Sequence, residues 1–341
     1  MRKLTATSLV LALGLGISAC SSTADVPKPV VTTAKEPVVS EETFAAIADA
    51  TKSALANGDS KKDAKLLNGR VSGPLLARRT AEYALAKALD DFEMDPIVID
   101  PSSVPIASGV GFPRTVMTVA GPQGGENLTT LSVWKQDYAR SNFKLWAEAE
   151  IFPGTDVPAL KSTSNDAVGT AKLDAKDYVT DPSKVMAAYV EYSKKREMGD
   201  VKFTKDDPLF TQIGEQQKTL SNALGDLGTV VTAYSAATTV PASVNTEDGG
   251  LIMLVPMDYS LTFDVKTDGA TVRIGDAIGA LADDSGKVEV TDLLTARYQT
   301  TVAFYVPPAG AADTTVEVIA SSVPVLVKVD HEGADEEDNE G

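Results

Sequence analysis

A single cysteine, Cys20, and a single histidine, His331, bound the chemistry open to this 341-residue chain. One thiol forms no internal disulfide, the usual four-ligand Cys/His zinc sites are excluded, and any Ser-His or Cys-His catalytic arrangement would have to use His331. That histidine opens the run His331-Glu332-Gly333-Ala334-Asp335-Glu336-Glu337-Asp338, which reads as part of a solvated, disordered acidic tail over 329–341. Carboxylates offer another route, since calcium sites and glycoside chemistry both need convergent acids. The pairs are Asp90-Asp91, Asp206-Asp207 and Asp283-Asp284. None follows the D-x-D-x-D-G pattern, and each falls at a helix end, cap or turn, so structural roles are expected. Gly109-Val110-Gly111 opens like a dinucleotide fingerprint, but Phe112-Pro113 replaces the approach to a helix. Trp134 and Trp146, with Tyr138 and Phe143 nearby, could line a sugar or aromatic-ligand pocket, although core packing explains them more simply. Arg78, Arg79 and Arg114 could grip an anion bidentately, with pairing to local carboxylates the plainer expectation. These residues nominate no catalytic group, no metal ligand and no cofactor.

Cys20 carries a different chemistry. Arg2 and Lys3 precede an apolar stretch from Leu9 to Ile17, too short to span about 30 Å of hydrocarbon, which reads as an export signal over 1–19. Ile17-Ser18-Ala19-Cys20 resembles the lipobox of bacterial lipoproteins, in which the thiol receives a diacylglycerol and the signal is cut immediately before it. Two acyl chains anchor stably where one is marginal, because each buried methylene contributes about 0.8 kcal/mol. Cys20 is therefore the expected lipid attachment site, and the membrane is its expected partner. Ser21 to Ser40, with Pro27, Pro29 and Pro37, lacks apolar periodicity and reads with Cys20 as a flexible tether over 20–40. The expected location is the outer face of the cytoplasmic membrane.

The elements beyond the tether come from periodicity. An apolar fraction of 43% is that of a chain able to build a core, and the length allows two or three domains at about 100–200 residues each. Ser40 as a cap, followed by Phe44, Ile47, Ala48 and Leu55, predicts a helix that stops near Asn57-Gly58-Asp59; Gly73-Pro74 opens a second. Strands are predicted at 97–99, 115–119, 128–134 and 143–149. After a connection at 156–180 the order repeats: Asp181-Pro182 and Asp207-Pro208 open helices, and strands follow at 230–234, 251–255, 259–265, 271–274, 288–290, 298–306 and 316–327. Asp283-Asp284-Ser285-Gly286 carries a hairpin-turn signal. The predicted class is α+β, with two tandem modules at 41–155 and 181–328, each with helices on a curved antiparallel sheet. Nuclear-transport-factor-two-like and cystatin-like folds share that layout.

Further motifs carry a resemblance. Arg70-Val71-Ser72-Gly73-Pro74 with Arg79 and Tyr83, Phe112-Pro113-Arg114-Thr115, Leu145-Trp146 leading to Phe152-Pro153-Gly154, and Val302-Ala303-Phe304-Tyr305-Val306-Pro307-Pro308 make residues 40 to 328 similar to a family of uncharacterised actinobacterial lipoproteins, a domain of unknown function. The resemblance implies an envelope lipoprotein and no assigned activity. The formal charge of −17 repels nucleic acid and anionic headgroups, which leaves a cell-envelope protein or a small ligand as partner. The expected role is noncatalytic binding or assembly. One alternative is an enzyme using a carboxylate and a tyrosine in a cone-shaped pocket; another is the lipoprotein receptor of an importer, although such receptors read as alternating βαβ units.

Overall fold

Ser40 begins the first helix as its chemistry dictates, its hydroxyl accepting the Thr43 amide at 3.2 Å ahead of Glu41 and Glu42 at the positive end of the dipole. The computed structural model describes residues 38–107, 112–122, 128–161, 175–237, 241–283 and 286–331. Cys20 with the expected signal, Gly109-Val110-Gly111, Asp284 and residues 332–341 lie outside the described residues. Val38 and Val39 do not belong to the tether predicted over 20–40, because Val39 is buried in the same core as Phe44, the arrangement of a hydrophobic staple.

The first helix, α1 (Glu41–Lys61), runs past the predicted stop at Gly58. Gly58 lies inside it and serves close packing, since Leu67 and the Tyr83 hydroxyl approach within 2.6 and 2.7 Å of where a Cβ would stand. Its end is Lys62, in the left-handed conformation. The other helices are α2 (Gly73–Ala88), α3 (Pro182–Lys195) and α4 (Pro208–Leu224), with proline in the first turn of each. Asp181 accepts the Ser183 amide and Asp207 the Phe210 amide, both at 3.0 Å. A seven-residue α5 (Asp276–Ala282) has no counterpart in the sequence reading, being too short for periodicity to show.

The strands are β1 (Ile106–Ala107), β2 (Arg114–Ala120), β3 (Thr130–Gln136), β4 (Lys144–Ile151), β5 (Gly228–Ala236), β6 (Ala242–Asn245), β7 (Leu251–Val265), β8 (Val272–Ile274), β9 (Val288–Val290), β10 (Leu293–Val306), β11 (Glu317–Ser321) and β12 (Val325–His331). Ten form one antiparallel sheet in the order β1-β2-β3-β4-β11-β10-β7-β5, with β6 also on β7 and β12 also on β10; β8 and β9 make a separate ribbon. The protein is α+β.

Three strand expectations change. The runs 251–255 and 259–265 form one strand, because Pro256 falls where β5 has ended at Met257 and β6 has not begun at Leu254, so its missing amide breaks no ladder on that side. The run 316–327 is two strands, parted at Ser322, whose side chain and carbonyl take over pairing to β10: Thr301 N donates to Ser322 Oγ at 2.9 Å and Thr300 Oγ1 to the Ser322 carbonyl at 2.7 Å. Residues 97–99 form no strand; flanked by Pro96 and Pro101, they bury Ile99 from irregular backbone. Similarly, Val329 to His331 belong to β12, paired with Leu294 to Ala296, and not to a tail. Asp283 and Gly286 do make a turn bond at 3.0 Å, but between α5 and β9.

Each half stacks helices on its own strands, and the two sets of strands join edge to edge. Ile151 and Glu150 of β4 pair with Ala320 and Ser321 of β11. One core lies under α1 and α2 around Phe44, Leu145 and Trp134; a second lies under α3 and α4 around Tyr189, Phe304 and Leu261. A third combines Met117, Leu131 and Ala149 with Ile252, Leu254 and Ile319, so it is built from both halves. Ala81 and Leu85 of α2 also pack with Val325 of β12 and Leu281 of α5.

Candidate functional site

The residues singled out by sequence do not converge. Asp90 and Asp91 are exposed after α2, Asp206 is exposed, and Asp207 is buried as the cap of α4. Among the described residues, no three His, Cys, Asp or Glu side chains are grouped to hold a metal ion. Trp134 is 1% exposed, edge-on to Phe44 at 5.3 Å, and donates Nε1–H to Thr118 Oγ1 at 3.2 Å. Trp146 is buried under the Lys135 ammonium, 3.3 Å from the ring centroid, and burial pushes Lys135 down to about 8. Both tryptophans are core, as is Phe143, whereas Tyr138 is exposed. Arg114 stacks on Phe112 at 4.4 Å.

Arg78 and Arg79 are paired with carboxylates, and the partners make a buried network. Arg78 donates Nε–H to Glu82 at 2.9 Å and Nη1–H to Glu148 of β4 at 3.0 Å; Arg79 donates Nη1–H to Glu82 at 2.6 Å. Asp59 and Asp95 stand at its more exposed side. Two guanidiniums thus face four carboxylates. Burial pushes Glu148 up to about 7, against the opposing pull of Arg78 and Arg79. Its Oε2 has no partner among the described residues, and it lines a cavity of only about 10 Å³ with Gln299 and Ser322, room for a single water. The raised carboxylate is therefore walled in.

A second carboxylate–tyrosine pair is equally enclosed. Tyr189 donates its hydroxyl to Asp207, 3.1 and 3.0 Å from the two oxygens, beneath Phe203 and Phe304. Burial raises Asp207, opposed by the amide of Phe210 and the hydroxyl of Tyr189. That geometry fastens α4 to α3.

A large opening adjoins the C-terminal half of α4. A cleft of about 650 Å³ runs between α4 and the β8–α5 segment, with Phe263 of β7 and Tyr298 of β10 at its floor and Leu220, Leu224, Ile274 and Ile278 on its walls. That volume is in the range of small-molecule sites, which are mostly apolar with a few placed polar groups. The uncharged polar side chains lining it are Gln216, Thr219 and Tyr298. Tyr259 and Tyr298, cross-strand partners in β7 and β10, stack at 4.9 Å and 7°. Tyr259 donates its hydroxyl to Gln216 Oε1 at 3.0 Å. Burial pushes Tyr298 up to about 12, so it stays a neutral hydroxyl at every physiological pH. Its exposed charged lining residues are Glu215, Arg273 and Asp276; Glu215 pairs with Lys218 at 3.7 Å, and the Arg273 guanidinium donates to Glu289 at 2.6 Å. Asp276 holds a left-handed φ of 51°, a strained backbone for a residue with a side chain, in the cleft wall.

Sequence reading missed Glu82, Glu148, Gln216 and Tyr298 as site residues. The spacing Arg78-Arg79-x-x-Glu82 and the lone acid in Leu145-Trp146-Ala147-Glu148-Ala149 signal the network. Nothing local signals the cleft. No family model, no curated protein and no solved structure matches this chain. Among the described residues no helix is long and apolar enough to cross a membrane.

Proposed function

We propose that this chain is an envelope lipoprotein of the actinobacterial kind, lipidated on Cys20 at the outer face of the cytoplasmic membrane, whose folded body binds a small apolar ligand without transforming it. The lipobox-like Ile17-Ser18-Ala19-Cys20 supports the anchoring. The observation that carries the binding role is the 650 Å³ cleft between α4 and β8–α5, whose inner walls are aliphatic. Its carboxylates, Glu215 and Asp276, are exposed, while the buried acids Glu148 and Asp207 are held elsewhere by Arg78 and Tyr189. That separation favours binding over acid–base chemistry in the cleft.

The test uses the full chain carrying Cys20→Ser and the fluorescent apolar probe N-phenyl-1-naphthylamine. Saturable enhancement at one site is expected, with loss of at least about tenfold in affinity on Leu220→Trp, which fills the cleft, and on Thr219→Trp, which covers its mouth from an exposed helix position. Enhancement unchanged in both variants would remove the cleft as the binding site.

A further inference from the structure

Two buried oxygens line the cavity of about 10 Å³ between α2, β4 and β10. Glu148, only 5% exposed, accepts from Arg78 through Oε1 at 3.0 Å, and its Oε2 has no partner among the described residues. Gln299 donates its amide Nε2–H to Asp258 Oδ1 at 3.1 Å, which assigns the nitrogen to that side and turns Oε1 away from it. That Oε1 is likewise buried and without a partner among the described residues. The hydroxyls beside the two are engaged with one another's backbone: Thr300 Oγ1 donates to the Ser322 carbonyl at 2.7 Å, and Ser322 Oγ accepts the Thr301 amide at 2.9 Å. Two orphaned oxygens on one small space are a costly arrangement unless something bonds both.

Size and charge decide what that can be. A space of this volume takes one water and nothing larger. Water has two donors and two acceptors, so it can donate to Gln299 Oε1 and, by turning, either donate to an ionised Glu148 Oε2 or accept from a protonated one. A cation would also suit two oxygens, but the Arg78 guanidinium lines the same cavity and repels it. Arg78 carries five N–H groups, more than its contacts with Glu82, Glu148 and Asp95 use, and so can offer the third contact usual for a buried water.

We infer that this cavity is a binding site for one structural water, which joins Glu148 of β4 and Arg78 of α2 to Gln299 of β10. The first two residues belong to one half of the chain and the third to the other. The water is thus a tie between the halves apart from the two residue pairs of β4 on β11, and it extends the buried acid network through Gln299 to Asp258 of β7. It owes nothing to the apolar cleft, and ligand binding there neither supports nor weakens it.

High-resolution crystal structures of the full chain carrying Cys20→Ser, alone and with Glu148→Gln or Gln299→Met added, test this. One ordered water is expected within about 2.7–3.2 Å of Glu148 Oε2, Gln299 Oε1 and an Arg78 nitrogen. Glu148→Gln should keep it, because an amide can still bond it, and Gln299→Met, of similar length but without the amide oxygen, should lose it. Crystals soaked in rubidium chloride should show no anomalous peak at that position. Glu148 Oε2 in direct contact with Gln299 Oε1 and no density between them overturns the inference, as does a rubidium peak, which would make this a cation site. A water that stays unmoved in Gln299→Met overturns the role of Gln299. Should that variant fail to fold, the structure with Gln299 intact still decides by the presence or absence of the water.

Discussion

Glu148 shows how much one residue's setting decides. Its carboxylate is a buried member of a group in which Asp59 from α1, Arg78, Arg79 and Glu82 from α2, Asp95 from the following loop and Glu148 from β4 face one another. Glu150, also of β4, adds further negative potential. Burial, with the neighbouring carboxylates adding to it against the pull of Arg78 and Arg79, makes Glu148 hold its proton to about pH 7, against an ordinary value of 4.5. The folded state thus keeps a proton that the unfolded state has released. Stability from this group is full below about pH 4.5 and declines as pH rises through 7, by on the order of 3 kcal/mol across the window. Urea denaturation at pH 5 and pH 8 should show wild type losing stability that Glu148→Gln does not lose; parallel pH curves for the two would contradict the assignment. Gly73 makes a second residue-scale case. It has a φ of +59°, and a Cβ there would overlap the Trp146 indole. Gly73→Ala should cost about 2–4 kcal/mol by the same denaturation measurement, and a cost under about 0.5 kcal/mol would mean the contact is loose.

At the scale of elements, what is local was legible and what is relational was not. The starts of α1, α3 and α4 were readable because a cap and the proline or acids after it lie within four residues of one another. The alternation of Tyr259, Leu261, Phe263 and Val265 showed a wet and a dry face, and the structure buries those four while Asp258, Ser260, Thr262 and Asp264 are less buried. The cleft was hidden, because it exists only where the register of β7 on β10 sets Tyr259 opposite Tyr298 and a seven-residue helix stands across from α4. The family-like motifs find their physical use here too. Val71 bridges Leu145, and Ser72 N donates to the Leu145 carbonyl at 3.0 Å, so two of those motifs are the two sides of one joint between α2 and β4. For α4, the cap is also the tie to α3 through Tyr189. Asp207→Ala should destabilise by about 2–4 kcal/mol, combining a lost cap with a buried tyrosine hydroxyl left unpaired; Asp207→Asn, which can still accept, should cost clearly less. Equal costs, read from chemical denaturation, would show that the hydrogen bonds are not what Asp207 contributes.

At the scale of the whole molecule, the order helix, helix, strands occurs twice, yet the strands form one sheet through the pairing of β4 with β11, and a core of residues from both halves lies along it. Sequence showed the repetition but not the seam, since the pairing of Ile151 with Ala320 joins residues about half the chain apart and rests on just two residue pairs. Shared burial of this kind couples the halves. Calorimetry of the chain carrying Cys20→Ser should give one cooperative transition, and two well-separated ones would show the halves to be independent. The cleft belongs to the second half, under α4. On the function proposed here, a lipid-anchored body carries an apolar ligand in that cleft. Native mass spectrometry of the full-length chain, gently extracted from the membranes of the cells that make it, tests this most directly. The expected mass starts at diacylated Cys20 and includes one noncovalently bound apolar molecule that is absent from Leu220→Trp and Thr219→Trp. An unmodified Cys20 with residues 1–19 still attached, or identical ligand occupancy in wild type and both cleft variants, would contradict it.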